Sequence, residues 1–283
     1  MSASPPDPSA YIFSRNYRSS IRLNYQHTLL TNLTGNQLLH QAIRDKIDLS
    51  ASLHVADIGA GTAIWSTELA ESLPETNCRI DAFDISTAQY PVAAWVRPAV
   101  TLYQHDAFQP FPEKCRGMYD IVNVRFFITL LSKEKLETFL QNVMSLLKPG
   151  GFFQWLDLDP RSAHAISAYA DSPGTQTWAV AGMMKTHPPD VTSWITDDCA
   201  MIESAGFIPV AYDRLHLKNS QRPLWNHCVL MGIEEVCLGL EAIKADAANM
   251  QAMRKQLENL SSEFQNGAGV DAEWFYLVGR RPL

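Results

Sequence analysis

The feature that most constrains the fold is an alternation of short apolar runs with helical patterns between residues 53 and 158. This alternation is typical of βαβ units, in which helices connect parallel strands. The candidate strands are 53–58, 79–83, 100–105, 119–124 and 151–158. Before the last strand, Leu136, Phe139, Leu140 and Val143 fall at i, i+3, i+4 and i+7, which predicts an amphipathic helix. We therefore predict an α/β fold on a mostly parallel sheet.

The pattern changes after residue 159. We predict a helix over 197–204, a strand over 207–217, a helical region over 224–262 and a final strand over 274–279. This arrangement predicts one domain over 11–283, preceded by a disordered leader over 1–10. The cap elements of that domain are expected at 11–50, 160–195 and 222–268.

Composition narrows the classes of partner. The 283 residues carry a net charge of -7 and no cluster of Lys and Arg, so we expect no nucleic acid partner. No apolar run is long enough to span a membrane, and the start lacks the apolar stretch of a signal peptide. The five cysteines lack the spacing of metal ligands, so we expect no metal and a cytoplasmic protein. The acidic composition without apolar patches favours a monomer.

The most informative segment is a glycine-containing turn after the first strand. Asp57 ends that strand, and Gly59 and Gly61 then allow a tight turn and close approach of a ligand to the backbone. A dinucleotide site would need a small residue where Ile64 stands, and Asp57 would repel a pyrophosphate. A ligand with an ammonium and a sulfonium, such as S-adenosylmethionine, suits the acid better.

Further anchors follow the next three strands. Asp84 lies 23 residues after Gly61, close to the ~20 expected of an acid that accepts both ribose hydroxyls. Beside it, Ile85 is expected to cover an adenine face. Asp106 is expected to accept from the adenine amino group, with Ala107 in the apolar wall. Asn123 and Arg125 end the fourth strand, at the crevice where ligands of open α/β sheets bind. Together these anchors predict S-adenosylmethionine as the cofactor.

Six segments carry a resemblance to a known family: YIFSRNYRSSIRLNYQH, VADIGAGTAIW, DAFDIS, YDIVNVRFF, LLKPGGFFQW and WFYLVGRRP. They resemble fungal secondary-metabolite methyltransferases, most closely the gliotoxin-type bis-thiomethyltransferases. The resemblance implies a class I methyltransferase fold, whose Rossmann-like seven-stranded sheet has an antiparallel last strand, and a helical cap over the substrate cleft. It implies a thiol sulfur as acceptor and cofactor contacts at Asp57, Gly59, Gly61, Asp84, Ile85, Asp106 and Ala107. It also suggests that Tyr11 and Arg22 fold over the cofactor and meet its carboxylate.

The chain departs from this family at two places. Ala63 stands where the third glycine of the turn is usual. After FFQW, where an acid is common, the chain has Leu156 and Asp157. Because that position tends to line the active site, we expect a different choice of substrate.

The residues leave the acceptor atom open among sulfur, nitrogen, oxygen and carbon. A thiol with a pKa near ~8.5 needs little help, whereas an alcohol needs a positioned base, for which His227 is the first candidate. Aromatic side chains are expected to line a cleft for a flat or cyclic substrate: Phe126, Phe127, Phe153, Trp155 and Trp178.

Two functions of other kinds remain open at this stage. One is a cyclase or pericyclase that binds the cofactor without methyl transfer, since fold does not fix function. The other is a non-catalytic regulatory partner in a protein complex.

Overall fold

The computed structural model describes residues 15–73, 78–169, 173–187, 194–196, 198–242 and 247–283. The expected leader and Tyr11 lie outside these residues. The helices are α1 (Tyr17–Leu33), α2 (Gln41–Arg44), α3 (Ile64–Ser72), α4 (Lys133–Leu146), α5 (Thr175–Thr186), α6 (Ala200–Glu203), α7 (Arg222–Ala242) and α8 (Ala247–Gln265). The strands are β1 (Leu53–Ile58), β2 (Cys78–Asp84), β3 (Val100–Gln104), β4 (Tyr119–Arg125), β5 (Leu147–Leu158), β6 (His164–Ser167), β7 (Ile208–His216), β8 (Ala268–Asp271) and β9 (Glu273–Arg280).

Seven strands form one sheet in the order β3-β2-β1-β4-β5-β9-β7. The pairs among β1 to β5 are parallel, and β9 runs antiparallel to both β5 and β7. The predicted mostly parallel sheet with an antiparallel last strand is confirmed. The strand order reverses between β1 and β4, so their carboxyl ends flank the crevice that binds ligands in open α/β sheets.

Helices cover both faces of this sheet. On one face, α4 buries the predicted apolar stripe, including Phe139, Leu140 and Val143. On the other face, Trp65 and Leu69 of α3 pack over β1, β2 and β4. Because both faces are covered, the inner strands are buried along nearly their whole length, as in other α/β proteins.

The structure differs from the prediction in three elements. The helix α4 ends at Leu146, but β5 begins at once at Leu147, four residues earlier than predicted, and Pro149 lies where the β4–β5 register shifts. The predicted helical region over 224–262 is two helices, α7 and α8, which pack against each other. A second sheet of β6 and β8 was not predicted.

The helices outside the sheet pack around one another next to its carboxyl edge. The helix α1 contacts α3 and α7, and α5 contacts α8. Glu263 of α8 accepts hydrogen bonds from the backbone N–H groups of Gln176 and Thr177, at distances of 3.1 and 2.7 Å, and so satisfies donors at the N-terminus of α5. None of the helices in the described ranges is both long and apolar enough to cross a membrane.

Candidate active site

The turn after β1 has the geometry that the sequence predicts. Gly59 and Gly61 have φ angles of +70° and +58°, a region that favours glycine. A Cβ atom at Gly59 would lie 2.9 Å from the Phe127 ring, and one at Gly61 would lie 3.1 Å from Leu23. The backbone N–H groups of Gly59 and Ala60 donate to the carbonyl of Phe83 on β2. Glycine is therefore favoured at both positions by the backbone conformation and by the close packing of Phe127 and Leu23 against the turn.

Asp84 lies at the carboxyl end of β2 and faces this turn. One carboxylate oxygen accepts from the Gly61 N–H at 2.8 Å, and the other accepts from the Ser86 N–H at 3.0 Å. Burial raises the pKa of Asp84, while these backbone donors and the charge of Arg15 oppose the shift. Each oxygen keeps further acceptor capacity, so the carboxylate can still take two ribose hydroxyls. The half-buried Ile85 follows it directly.

The third anchor follows β3. Asp106 accepts from the backbone N–H of Phe108 at 3.0 Å, and the buried Ala107 is held through its carbonyl by the side-chain amide of Asn142. The strand β3 adjoins β2 in the sheet, so Asp106 and Ala107 extend the row of anchors outward from Asp84. These residues fit the adenine end of the predicted cofactor.

Asp57 and Asn123 lie beneath the crevice and bond each other. The carboxylate of Asp57 accepts from Ser66 Oγ at 2.7 Å and from Asn123 Nδ2 at 2.8 Å. Gln154 on β5 in turn donates to the side-chain oxygen of Asn123 at 2.7 Å. Burial raises the pKa of Asp57, and the charge of Arg125 opposes this. The side chains of Asp57 and Asn123, which were both predicted to contact the cofactor, therefore make their hydrogen bonds within the protein. Asp57 can still attract a cationic ligand through its charge.

The turn after β4 depends on a carboxylate whose role the sequence did not reveal. Asp157 Oδ2 accepts from the N–H groups of Phe127 and Ile128 at 2.6 and 2.9 Å and from Trp155 Nε1 at 2.9 Å. The turn begins at Phe126, which has a φ of +53°. Asp157 therefore fixes the edge of the crevice.

The expectation that the position after FFQW lines the active site is wrong, whereas the expected difference in the choice of substrate stays a prediction. Leu156 and Asp157 are 3% and 0% exposed, so they lie in the interior and do not line a cleft. Asp157 is buried because its hydrogen bonds are made to the turn after β4.

The predicted aromatic residues separate into core and surface. Phe153 and Trp155 are fully buried in the core between the sheet and α4, so the expectation that they line a cleft is wrong. Phe127 is nearly buried, and its ring lies against Gly59. Trp178 on α5 has 54% of its surface exposed. Core packing competes with cleft lining for every large aromatic, and periodicity alone does not separate the two.

Phe126 belongs to an aromatic cluster that the sequence did not identify. Its ring centroid lies 6.2 Å from that of Trp225 on α7 and 5.8 Å from that of Trp274 on β9. The indole N–H groups of Trp225 and Trp274 are buried and find no hydrogen-bond partner within the described part of the chain. Buried donors of this kind are rare and call for an explanation.

The helix α1 lies over the glycine turn. Leu23 packs against Gly61, and Asn24 accepts a hydrogen bond from Thr62 Oγ1 at 2.6 Å. Arg22 differs from its prediction, because Nε and Nη2 form a buried ion pair with Glu235 of α7, at 2.7 and 3.1 Å. Its charge is neutralised within the protein, so we no longer assign Arg22 to the carboxylate of the cofactor.

Arg125 is a cation that the structure brings to the crevice. It ends β4, and its Nη2 donates to Nδ1 of His27 on α1 at 2.9 Å. Burial lowers the pKa of Arg125, and the nearby Asp57 opposes this shift. An arginine remains protonated in proteins, so a positive charge stands at this point of the site.

His227, the predicted base, is exposed on α7, with Nδ1 3.3 Å from the hydroxyl of Tyr25. This places it on the surface between α1 and α7. Among the described residues, no group of three or more His, Cys, Asp or Glu could hold a metal ion.

Comparison with known proteins agrees with this geometry. Residues 55–151 match the methyltransferase domain family. The methyltransferase grgD of Penicillium sp is 36% identical over 169 residues, which cover 57% of this chain and 57% of grgD. The N-methyltransferase tcpN of Claviceps purpurea (strain 20.1) is 25% identical over 277 residues, which cover 95% of this chain and 96% of tcpN.

Among solved structures, an S-adenosylmethionine-dependent methyltransferase from Mesorhizobium loti has a TM-score of 0.46 and 14% identity, over 85% of this chain and 96% of that chain. The domain match and the sheet order give this chain the fold of class I S-adenosylmethionine-dependent methyltransferases, and the row of anchors fits their cofactor. Its sequence is similar to fungal methyltransferases of secondary metabolism.

Proposed function

We propose that this protein transfers a methyl group from S-adenosylmethionine to a heteroatom, sulfur or nitrogen, of a small secondary metabolite. One observation carries the proposal: groups suited to each part of the cofactor follow successive strands at one edge of the sheet. The glycine turn, Asp84 and Asp106 come in that order from β1 to β3. When bound, the cofactor supplies an electrophilic methyl group on a sulfonium. The net charge of -7 is consistent with a small molecule and not a nucleic acid as the partner.

The choice of acceptor rests on how two of the described histidines, His27 and His227, are held. His27 is buried, and burial together with the charge of Arg125 lowers its pKa to about 4, so it is neutral near pH 7. His227 is exposed and faces Tyr25. An alcohol needs a positioned base, whereas a thiol or a neutral amine is a nucleophile near neutral pH without one. Positioning in a closed, dry cleft then supplies much of the rate.

Sulfur and nitrogen are each supported by a different similarity to known methyltransferases. The resemblance to gliotoxin-type bis-thiomethyltransferases favours sulfur. The relative tcpN, which is similar over nearly the whole chain, is an N-methyltransferase and favours nitrogen.

Phe126 is the half-buried member of the aromatic cluster, whereas Trp225 and Trp274 are 3% and 0% exposed and belong to the core. Phe126 is therefore the member of this cluster that could contact a substrate, and an aromatic ring there would favour a flat or cyclic one.

The test is mass spectrometry of reactions that contain S-adenosylmethionine and one acceptor each: a cyclic dithiol, a cyclic secondary amine or the matched alcohol. We expect one methyl group on each dithiol sulfur or on the amine, with S-adenosylhomocysteine formed in equal amount, and no change in the alcohol. Methylation of the alcohol alone would contradict the acceptor class. Cofactor binding with an isomerised product of unchanged mass would instead identify a cyclase.

A further inference from the structure

Three side chains from three elements form a chain of hydrogen bonds beside the crevice. Arg125 ends β4, His27 lies on α1 and Glu68 lies on α3. Arg125 Nη2 lies 2.9 Å from His27 Nδ1, and His27 Nε2 lies 2.8 Å from Glu68 Oε2. The sheet, the helix over the glycine turn and the helix after that turn are thereby joined at one point.

The direction of these bonds fixes the proton on the imidazole. A guanidinium is a donor only, so Nδ1 of His27 accepts from Arg125. The ring proton then lies on Nε2 and is donated to the Glu68 carboxylate. The low pKa of His27 agrees with a neutral ring in this tautomer. The arrangement holds the guanidinium in one orientation through a neutral ring.

The guanidinium of Arg125 retains most of its hydrogen-bonding capacity. Its carbon lies 5.9 Å from the centroid of the Trp65 ring, a distance that permits a cation–π contact. Of its five N–H donors, one is used by His27, and the other four have no partner among the described residues. The nearby carboxylate of Asp57 is bonded by Ser66 and Asn123. A half-buried cation with a planar set of donors suits a planar anion that accepts two hydrogen bonds.

We propose that Arg125 binds the α-carboxylate of the cofactor and that His27 and Glu68 are positioning residues, which orient the guanidinium for that contact. This inference rests on the proposed function, because it assumes that the cofactor occupies this edge of the sheet. The same helix that carries His27 packs on Gly61 through Leu23. Binding of the carboxylate is therefore expected to depend on how α1 packs over the turn.

The experiment compares two ligands by calorimetric titration: S-adenosylhomocysteine and its decarboxylated analogue, which keeps the amine and the thioether. In His27→Ala we expect the affinity for S-adenosylhomocysteine to fall about ten-fold or more, since a hydrogen bond to a charged group is lost or misdirected. The affinity for the decarboxylated analogue should change by less than about two-fold. His27→Gln should recover much of the loss, because an amide can accept from Arg125 and donate to Glu68.

Two further variants keep the test decisive if His27→Ala does not fold. Glu68→Ala removes the outer link from a side chain that is 43% exposed, and it should give a smaller loss for S-adenosylhomocysteine only. His164→Ala, on an exposed residue of β6, is the matched control and should change neither affinity. If the variants lose the same affinity for both ligands, His27 and Glu68 only support the fold, and the proposal is overturned. The proposal is also overturned if the variants lose no affinity for either ligand. Failure of the unmodified protein to bind S-adenosylhomocysteine would instead contradict the proposed function.

Discussion

Two residues near the crevice are in states that cost free energy, and contacts with neighbouring residues stabilise them. Asp157 is a buried carboxylate, and Ala63 adopts a φ of +57°, a left-handed conformation that is uncommon for residues other than glycine. Both lie at turns that border the proposed cofactor site. Strain at such places is a common feature of functional sites.

The ionisation of Asp157 should appear in the pH dependence of stability. Burial raises its pKa to about 6, although hydrogen bonds from Trp155 and the backbone oppose the shift. The unfolded value is about 4, so the folded protein binds this proton more tightly. The free energy of unfolding should therefore fall as the pH rises from about 4 to about 6, by up to about 3 kcal/mol. Urea titrations across this range, on the protein and on Asp157→Asn, measure the effect. A difference between the two that stays constant with pH would contradict this assignment.

Ala63→Gly should stabilise the protein. The left-handed conformation costs an alanine about 1–2 kcal/mol, and the entropy of a glycine in the unfolded chain offsets about 0.5–1 kcal/mol. We expect a net rise of about 0.5–1 kcal/mol in the free energy of unfolding, measured by urea titration. Ala60→Gly in the same turn is the control, since Ala60 is not among the residues with positive φ, and it should lower stability. A fall in stability for Ala63→Gly would be inconsistent with this backbone conformation.

At the scale of elements, α1 is held by opposite charges as well as by apolar packing. The buried pair of Arg22 and Glu235 joins α1 to α7, and His27 joins α1 to α3 and β4. A buried ion pair is costly to break from one side but adds little over apolar residues of similar size. The pair therefore specifies where α1 docks.

Removing one partner of the Arg22–Glu235 pair should lower the free energy of unfolding far more than replacing both partners. We expect Arg22→Met to lower the free energy of unfolding by about 3–5 kcal/mol, because the Glu235 charge is left buried. The double variant Arg22→Met with Glu235→Leu should recover most of that loss, as urea titrations would measure. Cofactor affinity in the double variant should be nearly unchanged. A large loss of affinity there would restore Arg22 as a contact of the cofactor carboxylate.

The elements show what sequence patterns reveal and what they miss. The strand β1 has the predicted bounds, because apolar burial and the following glycines mark both its face and its end. The partner of Arg22 lies 213 residues away, and no local pattern indicates such a pair. Trp155 shows the same limit, since an aromatic residue has the same periodicity in a core strand as in a cleft wall.

At the scale of the whole molecule, the sheet carries the proposed cofactor site, and the helices around it form the substrate side. The sheet brings together anchors that are far apart in sequence, because the carboxyl ends of parallel strands share one edge. The sequence was therefore sufficient to predict that the residues from Asp57 to Arg125 come together at this edge, and their contacts with the cofactor stay a prediction. The substrate side was less predictable, since it depends on how α1, α5, α7 and α8 pack against one another.

The most direct test of this account is calorimetric titration of S-adenosylmethionine into the protein and two variants. We predict measurable binding to the unmodified protein and a loss of more than about ten-fold in Asp84→Ala, which removes the acceptor for the ribose hydroxyls. Asp213→Ala is the matched control, because that side chain is 57% exposed on β7, at the opposite end of the sheet from β3. Its affinity should be unchanged. Equal affinity in Asp84→Ala and the unmodified protein would contradict the cofactor site described above.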